Sequence, residues 1–156
     1  MNKLYKLQSL ILFAGTIFAW ITIYNDFSRF YKFYGSFTRL QDCAVPNPVT
    51  TPCFYGAFAF LFGFIWSLFI LKRKSENRRV QQRKLNILLI ASTIFAWGNF
   101  ILEVIRFYTI KNGPKVSCSG ISTDNVLLTP CFYGSVIFLT ALIISVIIII
   151  KSKPKV

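Results

Sequence analysis

Histidine is absent from this chain of 156 residues. Its absence removes the usual general base, haem ligation through imidazole and every zinc site that uses histidine. Acidic residues are almost as scarce, five against eighteen lysines and arginines, for a net charge of +13. The glycines form neither a phosphate-cradling loop nor a dinucleotide fingerprint, and nothing sets a serine or aspartate nucleophile beside a base. Hydrolytic chemistry is therefore not expected. The four longest apolar runs, 7–24, 53–71, 85–102 and 131–150, contain no Asp, Glu, Lys or Arg. A channel or transporter pathway with a charged residue deep in the bilayer is disfavoured accordingly.

What is present is hydrophobicity: 54% of residues are hydrophobic and the mean hydropathy is +0.56, too apolar for a water-facing surface. Each run reaches the roughly 20 residues needed to cross a hydrocarbon core of about 30 Å. The expected fold is an all-α membrane protein of four transmembrane helices. Basic residues sort by side, with twelve (Lys3, Lys6, seven between Lys72 and Lys84, and Lys151, Lys153 and Lys155) on one face and six on the other. The positive-inside rule then places both termini and the central loop in the cytoplasm, with a plasma membrane as the simplest home. The basic runs are read as topology signals that attract anionic lipid, not as a nucleic-acid surface.

The chain is also written twice. Thr51-Pro52-Cys53-Phe54-Tyr55-Gly56 returns 78 positions later as Thr129-Pro130-Cys131-Phe132-Tyr133-Gly134, and Thr16 to Trp20 returns 77 positions later as Thr93 to Trp97. A single integral membrane domain is expected, made by tandem duplication of a helix-loop-helix unit, with repeats 1–76 and 77–156. Each unit crosses twice, so the copies are parallel repeats related by a pseudo-two-fold along the membrane normal. Because the third run repeats the first, the first is read as a retained helix and not as a signal peptide.

Small residues spaced by four let helix backbones approach in lipid. Gly15 with Ala19, Ser92 with Ala96, and Gly63 and Ala141 in the second and fourth runs are expected at helix contacts. Gly56 and Gly134 are expected to leave room for a close neighbour, with Thr51 and Thr129 capping their helices and the prolines fitting the first turn. Trp20 and Trp97 read as interfacial anchors. Asp26 with Arg29, and Glu103 with Arg106, each three apart, are expected to form interfacial ion pairs.

The four cysteines, Cys43, Cys53, Cys118 and Cys131, all fall on the non-cytoplasmic side of this topology, where disulfides persist. The duplication favours a bridge per repeat, Cys43 to Cys53 and Cys118 to Cys131, each closing a loop that contributes roughly 3 kcal/mol. A zinc site joining all four thiolates is a minor alternative. Four helices, cytoplasmic termini and cysteines in both outer loops resemble the layout of the DsbB family of quinone-linked disulfide oxidases and, more distantly, the vitamin K epoxide reductases. That resemblance implies a redox-active set of cysteines and a quinone cofactor, although the pairs here are ten and thirteen positions apart instead of C-x-x-C.

Two functions follow from the sequence. The first is a non-enzymatic, disulfide-braced bundle without cofactor or metal, binding lipid, a membrane protein partner, a second copy of itself or a small ligand at its outer face. The alternative is a quinone-linked thiol–disulfide oxidoreductase.

Overall fold

The computed structural model describes residues 2–35, 46–73, 75–109 and 124–152, and of Ser75 and Glu76 the backbone alone. Cys43 and Cys118 lie outside the described residues, and with them one member of each predicted disulfide. Four helices carry the architecture: α1 (Asn2–Tyr34), α2 (Pro52–Lys72), α3 (Ser75–Thr109) and α4 (Pro130–Lys151). Among the described residues there is no strand. All four helices are long and apolar enough to cross a membrane.

Helix boundaries follow from local chemistry. At the end of α1, Gly35 adopts φ +66°, and its N–H donates to Tyr31 O at 2.8 Å. That is a left-handed C-cap, which glycine enters without a Cβ penalty. The aromatic segment from Phe27 to Tyr34 thus belongs to one unbroken helix. The central basic segment is not a loop either. Helix α2 ends at Lys72, where Arg73 turns to extended backbone, and α3 has begun by Ser75, after which the basic residues up to Lys84 continue it with no glycine or proline to interrupt. Arg78 fixes this tight hairpin. Its guanidinium donates to Leu71 O at 3.2 Å, Arg73 O at 2.8 Å and Asn2 Oδ1 at 3.0 Å. A cation on the last carbonyls of α2 also complements the helix dipole.

Helix α1 packs on α2 and α4, and α3 packs on α4 and α2, so the four form a ring with α2 and α4 meeting across its centre. There Phe60 and Phe138 stack with centroids 3.7 Å apart and rings 9° from parallel. Burial follows the sequence offset. The buried residues of α3, namely Gln82, Leu85, Leu89, Ser92, Thr93, Phe100, Glu103 and Phe107, each stand 77 positions after a buried residue of α1. In α4, buried Ser135, Phe138, Ala141, Ser145 and Ile148 stand 78 positions after buried Ala57, Phe60, Gly63, Ser67 and Ile70 of α2.

At the end where the termini lie, the bundle core is polar. Gln82 Nε2 donates to Gln8 Oε1 at 2.9 Å and Ser145 Oγ at 3.0 Å, and Ser67 Oγ donates to Ser9 Oγ at 3.1 Å. Such side chains join helices where the hydrophobic effect is weak.

Candidate functional site

At the opposite end, α2 and α4 begin in the same way. Asn47 and Asn125 sit in extended backbone, and their Oδ1 atoms accept from Val49 N at 3.1 Å and Leu127 N at 3.0 Å. These are Asx turns. Each opens a short 3-10 turn, Pro48–Thr50 and Val126–Leu128. From Asn47 onward the backbone is thus held by this turn. The repeated signature is accordingly Asn-x-x-x-Thr-Pro-Cys-Phe-Tyr-Gly, four residues longer than the hexapeptide suggests; the asparagine is hidden in sequence by the unlike residues that follow it.

Thr51 and Thr129 occupy the N-cap positions with extended backbone, but neither side chain caps its helix. Their hydroxyls turn back and donate to Pro48 O at 2.7 Å and Val126 O at 2.8 Å. The threonine therefore clamps the 3-10 turn onto the helix start, and proline in the first turn lowers the number of N–H groups that need a partner.

Between these two starts lies a cleft of about 50 Å³. Helix α1 contributes Phe18, Ala19 and Thr22 to its walls, α3 contributes Phe95, Ala96 and Asn99, α2 contributes Pro52, Cys53, Gly56, Ala57 and Phe60, and α4 contributes Pro130, Cys131, Gly134, Ser135 and Phe138. Every lining residue of α1 or α2 has its counterpart, 77 or 78 positions on, lining the other side. The lining is almost wholly apolar, with Thr22, Asn99 and Ser135 as its polar groups.

The glycines expected to seat a neighbouring helix do something else. A Cβ built on Gly56 or on Gly134 meets nothing within 4 Å. Both line the cleft above the Phe60–Phe138 stack. Gly15 is the residue that admits a close approach, since a Cβ there would lie 2.6 Å from Phe60 Cε1. At Gly63 the nearest atom, Leu12 Cδ2, is at an ordinary 3.5 Å. Of the other packing residues named from sequence, Ala19, Ser92 and Ala141 are buried, and Ala96 is half-buried on the cleft wall.

Cys53 Sγ and Cys131 Sγ lie 3.8 Å apart on that wall. This is van der Waals contact, well beyond the roughly 2.05 Å of a covalent bond between them. The carboxylates of Asp26 and Glu103 both lie within electrostatic reach of Cys53. The Arg29–Asp26 pair forms as spacing predicts, with Nη2 to Oδ1 at 3.0 Å. Glu103 and Arg106 do not pair: Arg106 is exposed, while Glu103 is buried with Oε2 3.4 Å from the Thr129 hydroxyl. Trp20 is partly exposed and packs edge-to-face on Phe58, whereas Trp97 turns inward on Phe100, its Nε1 buried. Among the described residues, no group of three or more Cys, Asp or Glu converges on a metal-sized site.

No family model matches this chain, and no curated protein and no solved structure matches it either.

Proposed function

We propose that this chain is a non-enzymatic integral membrane protein whose outer cleft receives the end of a lipid chain or of a small apolar ligand. Two glycines facing empty space from opposite walls carry the reading. Glycine inside a helix costs about 0.5–1 kcal/mol relative to alanine, and close packing does not require it at Gly56 or Gly134. A site that must stay open does. By the measure in which one water needs about 10–15 Å³, the cleft holds a few methylene-sized groups and not a whole drug-sized ligand.

The same reading includes a tandem duplication with repeats 1–76 and 77–156, related by a pseudo-two-fold that runs along the membrane normal between α2 and α4. Shared burial at the 77 and 78 offsets supports it. The basic termini and hairpin face the cytoplasm, and the cleft opens on the far side of a plasma membrane. Local bridges, Cys43 to Cys53 and Cys118 to Cys131, would then brace the two rims of the cleft side by side.

The test is photo-cross-linking with a diazirine-bearing fatty acid in vesicles. Adducts are expected in the first turns of α2 and α4, and the double variant Gly56→Leu/Gly134→Leu is expected to lose them while keeping its helical circular dichroism. Adducts unchanged in that variant would remove the cleft from the account.

A second reading, a quinone-linked thiol–disulfide oxidoreductase, is favoured by one observation: sulfurs from the two halves touch beside an apolar cleft. It predicts quinone bleaching when the reduced protein is mixed with a soluble quinone, and cysteines titrating near oxidase potentials. The braced bundle predicts neither, with bridges that resist a glutathione buffer.

A further inference from the structure

A second concavity, of about 370 Å³, lies on the membrane-facing surface between α2 and the start of α3, at the opposite end from the cysteines. Phe62, Ile65, Trp66 and Phe69 form its apolar stretch, and Arg73 and Gln81 close its basic end. The apolar part faces outward, with Phe62 and Phe69 both 61% exposed. Trp66 Nε1–H donates to Gln81 Oε1 at 3.1 Å. This clasp holds α3 against α2 and leaves the amide N–H groups of Gln81 to donate elsewhere. Arg78 already supplies the carbonyls of the hairpin, so the guanidinium of Arg73 is not consumed by them.

From Phe62 to Arg73 the helix rises about 16 Å, half of a hydrocarbon core of about 30 Å. The groove is therefore one leaflet deep, with its charged end at headgroup level. Seven basic residues and one acidic residue occupy 72–84, which makes that level strongly cationic. The other half of the chain does not repeat the residues of this groove. At the corresponding offsets, α4 carries Thr140, Ile144 and Lys151 in place of Phe62, Trp66 and Arg73, and α1 carries Leu4 in place of Gln81, so the clasp cannot form there.

We propose that this groove binds one anionic phospholipid, its acyl chain along Phe62, Ile65 and Phe69 and its phosphate on Arg73 and the Gln81 amide. A guanidinium donates two parallel hydrogen bonds to a phosphate, which a zwitterionic headgroup with its own cation satisfies less well. The site is separate from the outer cleft and stands or falls independently of it.

Native mass spectrometry of the full chain, taken from nanodiscs of equal phosphatidylglycerol and phosphatidylcholine, tests the assignment. One retained phosphatidylglycerol per chain is expected. Arg73→Gln should lower that retention about tenfold, the loss of a charge-assisted contact, while Arg83→Gln, in the same basic hairpin but outside the groove, should leave it unchanged. A readout without charge change uses the Trp20→Phe/Trp97→Phe chain, in which brominated phosphatidylglycerol should quench Trp66 more strongly than brominated phosphatidylcholine. Equal retention of both lipids, equal loss in Arg83→Gln, equal quenching, or displacement by soluble glycerol phosphate would each overturn the assignment.

Discussion

Alanine at position 15 would put a methyl carbon 2.6 Å from a Phe60 ring that cannot retreat, because it is stacked 3.7 Å from Phe138. Overpacking of this kind costs about 1–3 kcal/mol, and Gly15→Ala is expected to lower the unfolding midpoint in a sodium dodecyl sulfate titration by that much. Gly56→Ala should instead leave stability unchanged or raise it by about 0.5–1 kcal/mol, as a glycine in a helix with nothing beside it predicts. A midpoint that falls in both variants would show that Gly56 is packed after all. Sequence spacing alone treats these glycines alike, since small residues at helical intervals reveal a close approach or a gap but not which of the two. Only the position of Phe60 separates them. Asn47 and Asn125 were hidden for a related reason: a turn residue five places before a proline is unremarkable until its Oδ1 is seen to accept from the backbone. Asn47→Ala should cost about 1 kcal/mol, as loss of a cap does, and accelerate hydrogen exchange at the Val49 amide.

On the scale of elements, the apolar runs located all four helices, because a membrane demands a length and composition that sequence displays directly. Their ends were less legible. Helix α3 starts some ten residues before its apolar run, and Gln82, read as part of a basic loop, proves to be buried in the bundle and bonded to Gln8 and Ser145. Polar side chains paired across helices leave no trace in a hydropathy pattern. Gln82→Leu strands Gln8 and Ser145 together. It is expected to destabilise the fold by about 0.6–2 kcal/mol, and the Gln8→Leu/Gln82→Leu double variant should cost less than the two single variants combined. Strict additivity in that cycle would mean that the two amides do not interact.

Across the whole molecule, polarity alternates along the bundle axis: glutamines and serines at the basic end, stacked phenylalanines in the middle, and a cleft with touching sulfurs where α2 and α4 begin. The duplicated hexapeptide was visible in sequence, but its meeting point was not, because 78 residues of chain separate the two copies and no local pattern encodes which helices share an axis. The most direct measurement uses the Cys43→Ser/Cys118→Ser variant, which leaves Cys53 and Cys131 alone in the chain. Treated with copper phenanthroline in membranes and digested, it should yield an intramolecular disulfide joining the first turns of α2 and α4, since their sulfurs already lie 3.8 Å apart. Recovery of Cys53 and Cys131 as separately alkylated peptides, with no peptide linking them, would contradict the account.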